Sequence, residues 1–98
     1  MEKRTPHCPL ERIWALVSAG RVSPTTTSLR GAQSLGMGYP DMLEVIAGLE
    51  RKDFYKSMTS LADQRVWQDV YRPLTAKGYV YLKLSVIDEV LIVSFKEL

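Results

Sequence analysis

The chain has 98 residues, of which 46% are hydrophobic and 24% charged, with a formal net charge of +2. That length suits one domain, residues 1–98, with one core, and the composition excludes a disordered polyelectrolyte. So small a net charge does not announce nucleic-acid binding, which would require basic residues gathered on one face.

Cys8 is the only cysteine, so no internal disulfide can form. With His7 beside it, it falls short of the four ligands of a structural zinc site and reads as an incidental thiol at a loosely held terminus. No apolar run approaches the ~18 residues of a membrane span. Met1 to Pro9 is charged and contains prolines, unlike a signal peptide, so a cytoplasmic protein without membrane association is expected.

The first predicted helix runs from about Pro9 to Ala19. Pro9 suits a first helical position, Leu10, Ile13, Trp14 and Val17 form one apolar stripe, and Gly20 is a stop. Arg21 to Ser23 reads as a short extended piece. Thr25 to Thr27 offer an N-cap for a second helix through about Leu35. A third helix is expected from about Pro40 to Leu49, with a broad apolar face from Met42 to Leu49. From Asp53 the pattern turns to strands, at Phe54–Thr59, Trp67–Arg72, Tyr79–Ile87 and Val90–Lys96. Helices followed by a four-stranded meander predict an α+β fold, with N-terminal helices packed on one face of a C-terminal antiparallel sheet.

A two-residue turn at Asp88–Glu89 would pair Ile87 with Val90, Lys83 with Ser94 and Tyr81 with Lys96. Alternation then gives an apolar face of Val80, Leu82, Leu84, Val86, Leu91, Val93 and Phe95. The opposite face holds Tyr81, Lys83, Ser85, Ser94 and Lys96. A symmetric closure of Pro73–Gly78 pairs Arg72 with Tyr79 and Val70 with Tyr81, and adds Gln68 to the polar face. The side of Lys56 and Met58 stays open, because residues 61–66 carry no strong turn signal and a one-residue slip flips both.

Lysines can neutralise a phosphate or, when desolvated, take a proton; a tyrosine can stack or donate its hydroxyl; a glutamine can hold a sugar or phosphate oxygen. These groups suffice to cleave RNA without a metal or cofactor, with the 2′-hydroxyl as nucleophile. The sequence has no carboxylate pair, no Ser–His–Asp set, no metal cluster and no phosphate-binding or dinucleotide loop. Composition alone favours a solvated face, since exposed sheets carry Lys, Tyr and Ser for solubility.

Particular segments shift that balance. Asp53-Phe54-Tyr55-Lys56-Ser57-Met58-Thr59, Trp67-Gln68-Asp69-Val70-Tyr71-Arg72-Pro73, Val80-Tyr81-Leu82-Lys83 and Val90-Leu91-Ile92-Val93-Ser94-Phe95-Lys96-Glu97 resemble the MqsR family, as does the opening Met1 to His7. These are small bacterial toxins of toxin–antitoxin systems with a RelE-like ribonuclease fold. The resemblance covers nearly the whole chain. It implies an endoribonuclease, or mRNA interferase, that cuts single-stranded mRNA at GCU-type sites and stops translation. It also implies a cognate antitoxin with its own zinc-binding domain and a helix-turn-helix domain, through which alone DNA would be reached. The family's catalytic positions fall on Lys56, Gln68, Tyr81 and Lys96.

On that resemblance Lys56 is the expected general base, Lys96 stabilises phosphate charge, Tyr81 orients the phosphate or acts as acid, and Gln68 holds a sugar or base edge. Met58 is a base contact or a core residue. Arg72 and Lys83 are backbone contacts or solvated charges. Trp14 and Trp67 read as core. A non-catalytic RNA- or protein-binding sheet is the alternative; a metabolic enzyme lacks any cofactor motif.

Overall fold

Three helical signals become three nine-residue helices in the computed structural model, which describes residues 1–98. Helix α1 spans Leu10–Ser18, α2 spans Thr26–Ser34 and α3 spans Tyr39–Ala47. Gly20 follows α1 at φ 73°, a left-handed conformation that costs glycine no Cβ clash. The Thr25 hydroxyl caps α2 by accepting the Ser28 N–H at 3.0 Å. The Asp41 carboxylate accepts the Gly38 N–H at 2.8 Å, so α3 starts one residue before Pro40.

The strands are β1 (Glu2–Lys3), β2 (Val22–Pro24), β3 (Phe54–Thr59), β4 (Trp67–Tyr71), β5 (Leu74–Thr75), β6 (Gly78–Val86) and β7 (Val90–Glu97). Their order is β1-β3-β4-β6-β7-β2, with β5 folded back on the start of β6. All pairings are antiparallel except β2 on β7. The expected α+β architecture is therefore present, widened at both edges by short strands from the N-terminal half.

The core lies between the helices and one face of this sheet. Leu10 and Ile13 from α1, Ala32 from α2, and Met42 and Ile46 from α3 join Val80, Leu82, Leu84, Val90, Ile92 and Phe95 from β6 and β7. Trp14 is not among them. It is 37% exposed, on the solvent flank of its helix, and Trp67 is only half-buried. Helix α2 lies so close to β7 that a Cβ on Gly31 would sit 2.0 Å from the Phe95 carbonyl oxygen. Gly31→Ala should therefore destabilise the protein by about 1–3 kcal/mol through overpacking, read as a lower urea midpoint at unchanged slope.

Two β-bulges rearrange the expected register. The β6–β7 turn has three residues, Ile87 to Glu89, and an extra residue at Val93 lies in β7 between the Lys83–Ser94 and Leu84–Ile92 pairs. The two additions cancel, so Tyr81 still meets Lys96 and Lys83 still meets Ser94. Above the bulge the faces exchange: Val90 and Ile92 are fully buried, whereas Leu91 and Val93 are only half-buried. Thr25 stabilises the irregularity. Its N–H donates to the Ile92 carbonyl at 3.0 Å and its hydroxyl to the Val93 carbonyl at 3.1 Å. The second bulge, at Tyr55, interrupts β3 between Phe54 and Lys56.

The β4–β6 connection also differs from the symmetric closure. Leu74 and Thr75 pair with Tyr79 and Gly78, which leaves Arg72 and Pro73 outside the main ladder. Val70 then meets Lys83 rather than Tyr81, a shift of two residues that preserves every face.

The terminus is not loosely held. The Asp69 carboxylate, 3% exposed, accepts the His7 N–H at 3.0 Å, the Cys8 N–H at 2.9 Å and the Ser57 hydroxyl at 2.6 Å. Cys8 is buried, and burial raises its thiol pKa, which makes the thiol inert. No helix is long and apolar enough to cross a membrane.

Candidate active site

The β3–β4 register settles the side of Lys56 and Met58. Lys56 opposes Val70 and Met58 opposes Gln68, on the sheet face turned away from the helices. One row across this face reads Lys56, Val70, Lys83 and Ser94. Tyr81 and Lys96 form a pair in the next row, and Met58 and Gln68 a pair in the row on the other side. Lys56, Gln68, Tyr81 and Lys96 thus come from four neighbouring strands, a width of about 14 Å at the usual strand spacing.

Val70 is the floor. It is completely buried yet lies outside the apolar core cluster, because its cover is the polar face itself. The lysines on either side must lay their aliphatic stems over it.

Bulging changes what Tyr55 does. Strict alternation would send it to the face opposite Lys56. Instead the Arg72 guanidinium lies 3.8 Å from its ring centroid, with Lys56 at 5.4 Å and Arg4 at 5.6 Å. Tyr55 therefore joins the open face, a position that periodicity misses because a bulge without glycine leaves no mark in the sequence. Tyr81 has Lys96 5.2 Å and Lys83 5.9 Å from its ring. The face is lined by cations resting on aromatics, the arrangement that binds a phosphate chain while stacking its bases.

The second missed residue is Glu2. Its carboxylate is ion-paired with the Lys56 ammonium, the two side chains being 56% and 21% exposed. Glu2 pairs with Met58 across β1 and β3, so it approaches Lys56 from the sheet edge. That contact moves the Lys56 pKa above its ordinary value and the Glu2 carboxyl below its own. Lys83 moves the other way. Burial, and then the charges of Lys96 and Lys56, push its pKa below the ordinary lysine value. Burial thus eases loss of a proton from Lys83, whereas the Glu2 pair opposes it at Lys56.

Arg72 is exposed and anchored on Tyr55, whereas Met58 and Gln68 are half-buried beside each other. His7 lies on the other side of the sheet, stacked on Trp67 at 5.5 Å. Concave space lies elsewhere as well: a groove of about 380 Å³ runs between α3 and the β5 hairpin, with Asp41, Glu44, Asp53 and Lys77 in its wall. The candidate site is a shallow, open sheet.

A family model described as motility quorum-sensing regulator, toxin of MqsA, matches residues 5–97. The mRNA interferase toxin MqsR of Escherichia coli (strain K12) is 55% identical over 97 residues, 99% of each chain. With a match that spans both the helical layer and the sheet, the chain belongs to the MqsR toxin family.

Proposed function

We propose that the open face is the active site of an mRNA endoribonuclease that cuts single-stranded RNA without a metal, at GCU-type sites, and so arrests translation and growth in the cytoplasm. The observation that carries this reading is the row Lys56–Val70–Lys83 flanked by Tyr81 with Lys96 and by Gln68 with Met58. The relative named above as an mRNA interferase toxin supports it. An open sheet reads splayed-out single-stranded bases, whereas the groove of an RNA duplex is too deep for it.

The groups on this face suit 2′-hydroxyl chemistry. Lys83 removes the proton of the 2′-hydroxyl. The 2′-oxygen bonds to phosphorus and the bond to the 5′-oxygen breaks, leaving a 2′,3′-cyclic phosphate and a 5′-hydroxyl. Lys56, held as a cation by Glu2, and Lys96 stabilise the negative charge that grows on the phosphate. Tyr81 orients the phosphate and protonates the leaving oxygen. Gln68 holds a sugar or base edge. Met58 packs against a base, and Arg72 is a backbone contact steadied by Tyr55.

The family is described as toxin of MqsA, so we infer a cognate antitoxin here as well, one with a zinc-binding domain and a helix-turn-helix domain. Brief expression in a growing culture tests the toxin reading. Growth should stop, and mapped 5′ ends should gather at GCU-type sites in reporter transcripts. Arrest without cuts would instead favour a binding sheet that blocks its target.

A further inference from the structure

On this reading of the open face as an RNA-cleaving site, we propose that Glu2 is a positioning residue for Lys56. Its carboxylate fixes the ammonium at the β1 side of the open face so that Lys56 meets the substrate phosphate as a cation.

The geometry rests on two independent ties. The first is the β1–β3 ladder, where Glu2 opposes Met58 and Lys3 opposes Ser57, and the Thr59 N–H donates to the Met1 carbonyl at 3.0 Å. The second is Asp69, which holds the His7 and Cys8 N–H groups from below the sheet. Between them both ends of the segment from residue 1 to residue 8 are tied to the sheet. Glu2 is thereby held over the open face, while Lys3 reaches the other side and lies 4.2 Å from the Trp67 ring centroid.

Lys56 needs such a partner. The groups around it are Tyr55 on its own strand, Tyr81 and Lys83 on β6, Lys96 on β7, Arg72 against Tyr55, and Arg4 beyond β1. Apart from the two tyrosines these are cations, and cations repel an ammonium and favour its loss of a proton. Glu2 is the one carboxylate paired with Lys56. A carboxylate on a face that receives phosphates also repels the substrate, so its removal would tighten RNA binding if solubility were its only role. A positioning role gives the opposite outcome for turnover. Removing Glu2 lets the long lysine side chain move and lowers the pH at which Lys56 becomes neutral.

The test compares wild type with Glu2→Gln, Glu2→Asp, Lys56→Ala and the double variant Glu2→Gln/Lys56→Ala, using a defined single-stranded oligoribonucleotide. Glu2→Gln should lower the cleavage rate roughly ten- to a hundredfold, as expected for misplacing a catalytic group by about an ångström. Its alkaline limb should move to lower pH, and its melting temperature should stay close to wild type, since a partly exposed pair at a sheet edge adds little stability. Glu2→Asp should recover part of the rate. The double variant should be no slower than Lys56→Ala, because Glu2 acts through that lysine. The titration of Lys56, followed by NMR of isotope-labelled lysine without RNA, should fall in Glu2→Gln.

An unchanged Lys56 titration, or a Glu2→Gln protein that binds RNA more tightly and cuts as fast as wild type, would overturn the positioning role. So would a further loss in the double variant. Failure of folded wild type to cut RNA would overturn the underlying reading of the face, and a shifted Lys56 titration in the same experiment would show that the ion pair itself is sound.

Discussion

Lys56→Ala is expected to reduce RNA cleavage on the order of a hundred- to a thousandfold, the loss typical of removing one preorganised charge from a developing oxyanion. Growth arrest on expression should disappear with it. The fold should survive, because β3 keeps its ladder through the backbone pairs from Phe54–Tyr71 to Thr59–Trp67 and loses only the lysine side chain. Val70 loses part of its cover, yet the helical core on the other face is untouched. Initial rates on a single-stranded oligoribonucleotide, beside circular dichroism melts of the same samples, measure both halves of this expectation. Wild-type rates from folded Lys56→Ala would remove Lys56 from the mechanism.

Asp69→Ala should have the largest effect on stability. One side chain accepts three hydrogen bonds, two from N–H groups of the N-terminal segment and one from Ser57. Charge-assisted bonds contribute about 1.5–3 kcal/mol each, and their buried donors would be left without acceptors. The losses are not additive, since the freed segment can reach water, so an overall loss of about 3–5 kcal/mol is expected. Urea denaturation reads this as a lower midpoint. Limited proteolysis should cut before Cys8, because the segment then hangs on the two-residue β1 alone. Asp69→Asn keeps one acceptor oxygen and should lose less. Cleavage should fall even where Asp69→Ala remains folded, since Glu2 is released with the segment. A stable Asp69→Ala protein with an uncut terminus would show that the β1 ladder suffices.

Much of this site was legible in the sequence, for identifiable reasons. Tyr81 and Lys96 face one another because the added turn residue and the Val93 bulge cancel below that point. Gln68 keeps its face because the β4–β6 register moves by an even number of residues. The helices follow from their stripes and stop signals. What alternation could not supply are the bulges. Neither Tyr55 nor Val93 is a glycine, and the Val93 bulge is held by Thr25, 68 residues away in the chain. The side of Lys56 depends on the β3–β4 register, and residues 61–66 carry no turn signal that would set it. Glu2 stayed hidden for another reason. A two-residue strand has no periodicity, and its docking depends on Asp69, 61 residues beyond Cys8 in the chain. The pairing of Lys56 with a carboxylate was hidden in the same way, since only the folded chain brings Glu2 to it.

The central claim is that this cationic sheet face cuts RNA through the substrate's own 2′-hydroxyl. Two oligoribonucleotides that differ only by a 2′-deoxy substitution at the mapped scissile nucleotide test it most directly, incubated with purified protein in EDTA. The ribo strand should be cut to a 2′,3′-cyclic phosphate and a 5′-hydroxyl, and the substituted strand should stay intact at that position. Cutting of the 2′-deoxy strand at the same bond, or cleavage that requires an added divalent cation, would contradict it.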